Sequence, residues 1–327
     1  MHQISREKIF AFLEAYQQFH DSINFRAEPA NLYEPIRYIM GLGGKRLRPL
    51  LVLAACDAVG GSWRQALSQA YAIELFHNFT LVHDDIMDKA SLRRGQPTVH
   101  LKFGENSAIL AGDAMAFYCQ MFLAEGLPAP TQAYVLSLFN TTAIRIIEGQ
   151  QMDMDFEDRL AVDSEDYLKM IEYKTSVLLA CALQIGAVIG GAPPEMEKAF
   201  YNAGLGIGLA FQIRDDILDA FGDERFGKIK GGDILNNKKT LLYILARENA
   251  SPDDQHLLEK LITEPDAEKK IHQTLAVFER SGARVLAEEK AKAFHEMALR
   301  SLNSLSLPVE GKNLLLDIAQ MIYERQF

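Results

Sequence analysis

The strongest constraint on the fold is a period. Apolar residues recur at helical spacing in almost every segment of the 327-residue chain, and no run alternates apolar and polar positions with β-branched enrichment. The pattern predicts an all-α chain with essentially no sheet. Expected helices cover 5–20, 31–40, 50–59, 63–87, 105–125, 131–154, 164–190, 195–222, 238–249, a stretch after Ser251, 267–300 and 309–325. Punctuation sets the divisions. Gly41 ends the second helix and Gly60-Gly61 the third. Ser62 is a capping residue for the long helix over 63–87, and Ser251-Pro252-Asp253-Asp254 caps another. No Pro- or Ser-rich linker interrupts the chain, so one domain over 1–327 is expected.

The formal net charge of −10 argues against nucleic acid as the main partner, which needs a basic footprint. It leaves room for a small anionic ligand, because local basic clusters and metal ions can reverse the sign of a pocket. Cys56, Cys119 and Cys181 are odd in number, widely spaced and set in apolar runs, which fits reduced core thiols in a cytosolic protein. The first helix carries Glu7 and Glu14 within its apolar pattern and does not read as a signal peptide. The most apolar run, Val177 to Ala192, contains Gln184 and falls short of the ~20 residues of a membrane span, so a buried helix is expected there and no transmembrane segment.

Two acidic clusters of one form need a joint explanation: Asp84-Asp85-Ile86-Met87-Asp88 and Asp215-Asp216-Ile217-Leu218-Asp219. Residues four apart on a helix lie ~40° apart around the axis and ~6 Å along it, so Asp84 and Asp88 share a face, as do Asp215 and Asp219. Like charges so placed repel. A solvated acidic stripe is one reading. The apolar flanks Phe79 to Val82 and Ala210-Phe211 favour another, in which each cluster ends a buried surface and holds a hard cation. Magnesium bound through carboxylates and substrate phosphate is the usual arrangement, and no twelve-residue calcium loop is present. Arg93-Arg94 follows the first cluster, and Lys45, Arg46 and Arg48 sit in the glycine-rich segment Gly41 to Pro49. Each basic group alone is more often a solvated surface feature; beside two acidic clusters they read as a diphosphate clamp.

Five ordered blocks carry a family resemblance: GGKRLRP at 43–49, HDDIMDKASLRRG at 83–95, GQQMD at 149–153, YKTSVL at 173–178 and FQIRDDILDAFGDERFGKIKGGDILNNKKT at 211–240. Over nearly the whole chain the sequence resembles the trans-type (E-) isoprenyl diphosphate synthases, the polyprenyl synthetase family. The resemblance implies an all-α bundle of about ten or more helices around a central cavity, the isoprenoid synthase fold. It implies that Asp84, Asp88, Asp215 and Asp219 hold about three Mg²⁺, with Mn²⁺ a possible substitute. Arg93, Lys174, Lys228 and Lys238 would bind an allylic diphosphate. Lys45, Arg48, His77 and Arg94 would bind isopentenyl diphosphate, and Thr175 and Gln212 would turn their oxygens to the developing carbocation. A cytoplasmic homodimer is implied, with 105–125 a candidate interface helix. Phe79, Phe76 and Thr80 stand five, eight and four residues before Asp84, where the family sets product length. An aromatic residue at the fifth position with no insertion in the motif resembles short-chain geranylgeranyl synthases; farnesyl and then longer products are the alternatives. Ideal geometry puts Phe79 ~140° from Asp84, which fits a floor of the cavity imperfectly and leaves ordinary core packing open. A terpene cyclase would not need Lys45, Arg48 and the second motif. A non-catalytic regulatory subunit would usually lack one motif.

Overall fold

The computed structural model describes residues 2–159, 161–222 and 231–324. Helices dominate: α1 (Gln3–Ser22), α2 (Ala30–Gly41), α3 (Leu47–Ala58), α4 (Leu67–Met87), α5 (Val99–Phe103), α6 (Glu105–Ala124), α7 (Ala129–Asp158), α8 (Ser164–Ile171), α9 (Val177–Ile189), α10 (Pro194–Phe221), α11 (Gly232–Leu235), α12 (Leu241–Asn249), α13 (Pro252–Leu261), α14 (Ala267–Arg280), α15 (Ala283–Ser304) and α16 (Val309–Glu324). Among the described residues the sheet is one hairpin, Leu92–Arg93 against Gln96–Pro97. The all-α expectation holds.

The structure departs from the sequence reading most clearly at four places, each for a local reason. Ser62 makes no capping bond. A 3-10 turn over Trp63–Ala66 comes first and α4 begins at Leu67; Trp63 packs edge-on against Phe12, so a tertiary contact outweighs the cap. The stretch 164–190 is divided by a π-helical turn, Glu172–Ser176. Residues 238–240 are not helical, and the short α11 precedes them. The stretch 267–300 breaks at Ser281-Gly282: Gly282 has φ 74, and its N–H donates to Glu279 O while Ser281 N–H donates to Val277 O. Left-handed glycine closing the last carbonyls is a standard helix stop. The Ser251 cap is present, accepting from Asp254 N at 3.2 Å.

α9 is buried all round, with every residue from Val177 to Leu183 at most 2% exposed. A helix with no wet face needs no amphipathic pattern, which explains its unbroken apolar run. Two buried apolar clusters form the core. α10 runs through both, with Phe200, Ala203 and Ile207 in one and Leu209, Ile213 and Ile217 in the other. The three cysteines are free and buried. By length and hydropathy two stretches could cross a bilayer, Ser164–Ile189 and Glu105–Ala124. The first is mostly covered by protein, the second mostly not. On α6, Leu110, Phe117 and Met121 are 58%, 72% and 66% exposed.

Candidate active site

α4 and α10 bring Asp84 and Asp215 into one cavity of about 670 Å³. Its lining also holds Lys45, Arg48, His77, Thr80, Arg93, Arg94, Lys174, Thr175 and Gln212. Residues 45 to 215 in sequence thus converge on one space. A smaller space of about 210 Å³ shares Lys174, Thr175, Gln212 and Asp215, and adds Asp153, Asp216, Asp233 and Lys238. Lys228 lies outside the described residues.

Local backbone chemistry aims these groups. Arg94 and Gly95 have φ 53 and 74 and form the two-residue loop of the hairpin, a geometry that needs positive φ at both positions. Arg93 and Arg94 therefore leave the loop in different directions. Arg93 Nε lies 3.1 Å from Asp85 Oδ1, Nη2 also bonds Asp85, and none of these bonds uses Nη1. Arg94 Nη1 donates to Gly43 O and packs on Gly44. The π turn carries Lys174 and Thr175, and π turns recur where a side chain must be re-aimed. It fits because two glycines let it in: a Cβ on Gly149 would stand 2.3 Å from Lys174 N, and one on Gly208 would stand 2.5 Å from Ser176 Cα.

Electrostatics sort the aspartates. Burial pushes the Asp84 carboxyl up to about 6, opposed by Lys174 and helped by Asp88. Burial and Asp233 push Asp216 up to about 7, opposed by hydrogen bonds from Tyr167 and Gln212. The second aspartate of each motif faces inward: Asp85 is 0% exposed on Arg93, and Asp216 accepts from the Tyr167 hydroxyl and from Gln212 Nε2 at 3.1 Å. With its amide nitrogen on Asp216, Gln212 turns Oε1 to accept from the Thr175 hydroxyl at 3.2 Å, and both residues line the cavity. Lys174 Nζ bonds Asp153 at 2.5 Å. Burial works against the Lys238 charge, but Asp233, Asp153, Asp88 and Asp216 hold it above the usual lysine value. Burial and the nearby arginines, Arg48 first, keep His77 well below the usual histidine value, so its imidazole is neutral.

The donor set fits Mg²⁺ bound with phosphate. The carboxylates of Asp84 and Asp88 have no side-chain hydrogen bond or ion pair among the described residues, and the charge of Asp84 is strained by burial. Among the described residues no three His, Cys, Asp or Glu enclose an ion by themselves. Mg²⁺ ordinarily takes one or two carboxylates and completes its octahedron with water and phosphate oxygens.

Four expected positions stand elsewhere. Asp88, exposed just past the end of α4, lines neither space. Asp219 does not line either space; its Oδ2 accepts Asp233 N at 3.0 Å and its carbonyl accepts Gly231 N, so it ties down the chain that leads to α11. Phe76 and Phe79 also stay outside the lining, stacked on one another at 5.2 Å, with Phe76 on Phe139 and Phe79 on His83. Thr80 alone of that trio reaches the cavity. Asp153, the last residue of the GQQMD block, is the partner of Lys174, a role that the block's pattern alone does not reveal. Glu74 and Asp233 went unread. Glu74 sits three residues before His77 on the same helix face, a signal that helical spacing does contain.

Residues 29–278 match the polyprenyl synthetase family. The geranylgeranyl diphosphate synthase of Saccharolobus solfataricus is 38% identical over 307 residues, covering 91% of this chain and 92% of that one. The geranylfarnesyl diphosphate synthase of Natronomonas pharaonis is 37% identical, covering 92% of each chain. A crystal structure of a geranylgeranyl pyrophosphate synthase superposes with TM-score 0.91 at 40% identity, covering 99% of both chains. The chain belongs to the polyprenyl synthetase family.

Proposed function

We propose that this chain is a Mg²⁺-dependent prenyltransferase, one catalytic unit over its full length, condensing isopentenyl diphosphate with an allylic diphosphate to geranylgeranyl diphosphate. The observation that carries this reading is the meeting of Asp84 and Asp215 with Lys45, Arg48, His77, Arg93, Arg94 and Lys174 in one cavity. Two acidic groups on separate helices beside two separate cation sets suit two diphosphates, one of them a leaving group.

Magnesium held by Asp84, Asp88 and Asp215, or manganese in its place, would neutralise diphosphate charge as it develops. The residues of the chain do the rest. Arg93, Lys174 and Lys238 hold the allylic diphosphate while its C–O bond breaks and the electron pair leaves with the diphosphate. Thr175 and Gln212 offer oxygens to the allylic cation. Ile146, Leu178 and Phe211 line the same cavity and exclude the water that would quench that cation. Lys45, Arg48 and Arg94 fix isopentenyl diphosphate so that its double bond supplies the electrons of the new C–C bond. Neutral His77 contributes a hydrogen bond there. The surplus proton goes to the released diphosphate.

The geranylgeranyl assignment draws on the names of the relatives, one of which makes the longer geranylfarnesyl product. The test is to incubate the protein with isopentenyl diphosphate, each of the dimethylallyl, geranyl and farnesyl primers and Mg²⁺, and to separate the dephosphorylated products by length. A C20 product is expected. A C15 or longer product overturns the length assignment, and no condensation overturns the reaction. In the same assay Phe79→Ala tests the chain-length reading: Phe76 and Phe79 stand outside the cavity lining, and if removing a ring from their stack deepens the cavity the product lengthens by about one isoprene unit. Unchanged length would make Phe79 a core residue.

The reading includes a cytoplasmic homodimer, no nucleic acid and no bilayer-spanning segment. A second copy would cover the apolar residues of α6 and α7, among them Phe117, Met121, Ile144 and Ile147, each 59% exposed or more.

A further inference from the structure

One buried carboxylate in the cavity lining belongs to neither motif. Glu74 is 2% exposed and stands on α4 ten residues before Asp84. Its Oε1 accepts from Arg46 Nη1 at 2.7 Å, and Arg46 Nη2 donates to Met40 O at 2.9 Å. Asn78 Nδ2 donates to Glu74 O at 2.8 Å and stands 3.5 Å from Glu74 Oε1. Asn78 Oδ1 lies 3.5 Å from Arg94 Nη1, which itself bonds Gly43 O. One acid therefore ties the glycine loop, through Arg46, to the hairpin that presents Arg94. Arg46 has φ 50 and lines the cavity beside Lys45 and Arg48, with its guanidinium committed to Glu74 and to Met40 O. Burial disfavours the charges of Arg46, Arg48 and Arg94, and in all three Glu74 is the largest opposing influence.

We infer that Glu74 is a positioning residue: it is the buried counter-charge that holds Arg46 and Arg94, and with them the isopentenyl diphosphate subsite, in binding geometry. This rests on the reading of Lys45, Arg48, His77 and Arg94 as that subsite. The sign of one substitution separates positioning from mere background charge. Glu74→Gln removes a negative charge from the lining of a pocket for an anion. If Glu74 were only background, the pocket would become more positive and bind diphosphate more tightly. If it positions the arginines, binding weakens.

The experiment measures both KM values in one magnesium buffer, with the second substrate saturating. For Glu74→Gln the KM for isopentenyl diphosphate should rise about tenfold or more while the allylic KM stays within about twofold, the split expected when one ground-state subsite is lost. Arg46→Met should give the same selective rise. The double variant should be no worse than the worse single, because both changes break one network. A lowered or unchanged KM for isopentenyl diphosphate, or a parallel rise for both substrates, overturns the inference. If Glu74→Gln does not fold, Glu74→Asp withdraws the charge by one methylene and should raise the same KM about threefold; a wild-type KM there also overturns it. A wild type that does not condense sinks the proposed function and this inference together, whereas an active wild type with unselective variants sinks the inference alone.

Discussion

The two aspartate motifs share a pattern and divide its labour differently. On α4, Asp84 faces the cavity, Asp85 turns inward to Arg93 and Asp88 stays exposed at the helix end. On α10, Asp215 faces the cavity, Asp216 turns inward to Tyr167 and Gln212, and Asp219 ties down the chain before α11. The first positions match because helical spacing puts them on equivalent faces. The inner partners differ in kind: a full positive charge in one motif, a neutral hydroxyl and amide in the other. The last positions differ because Asp88 stands exposed just past the end of α4, whereas Asp219 lies within α10 and accepts hydrogen bonds from Gly231 N and Asp233 N. An identical local pattern thus fixes direction along the helix, while the neighbours decide the chemistry.

The comparison breaks most visibly at the first positions. If Asp84 and Asp215 are equivalent metal-facing groups, Asp84→Ala and Asp215→Ala should each lower turnover by about three orders of magnitude or more, with the fold kept. Circular dichroism and condensation rates on the two variants check this. Near-normal turnover in both would end the metal reading, and a large loss in only one would show that the motifs are not equivalent even where they look alike.

The inner positions should separate by stability. Asp85→Asn leaves the Arg93 guanidinium facing a neutral amide. Removing one partner of a buried pair costs more than the pair itself contributes, though Arg93 is about a third exposed, which screens part of the loss. A destabilisation of about 2–3 kcal/mol is expected in denaturant titration. A change inside ~0.5 kcal/mol would mean that solvent already neutralises Arg93.

Legibility follows the same division. The helices, the cavity-facing aspartates and the clustering of Lys45, Arg48, His77, Arg93, Arg94, Lys174, Thr175 and Gln212 were readable, because they depend on spacing and residue type. What escaped depends on neighbours distant in sequence. Arg46 and Glu74 are 28 residues apart, and nothing local to either shows the bond. The π turn exists because Gly149 and Gly208 admit it from two other helices. Asp219 was assigned by its place in the motif, yet its oxygen is used by Asp233. Phe79 was flagged by the ideal helix as lying off the face of Asp84, and the structure keeps it out of the lining.

The smallest expected effect tests why Asp216 was given neutral partners. Its carboxyl is pushed up to about 7, above its unfolded value of 3.8. Between about pH 4 and pH 7 the folded protein therefore binds more protons at this site than the unfolded chain, so stability from it is greatest in acid and is lost as pH rises through the folded value. Burial also holds His20 and His77 below the usual histidine value, and these act in the opposite sense, favouring the folded state above about pH 6.5. A pH scan of the wild type alone mixes both. The difference between wild type and Asp216→Asn cancels the histidines. In metal-free protein Asp216→Asn should be more stable than wild type by a few degrees in Tm near pH 8, where it relieves a buried charge, and the gap should close or reverse toward about pH 5, where the protonated wild type also keeps the Tyr167 hydrogen bond. A gap that does not vary with pH would place the charge of Asp216 in solvent-like surroundings and make its inner position equivalent to an ordinary surface aspartate.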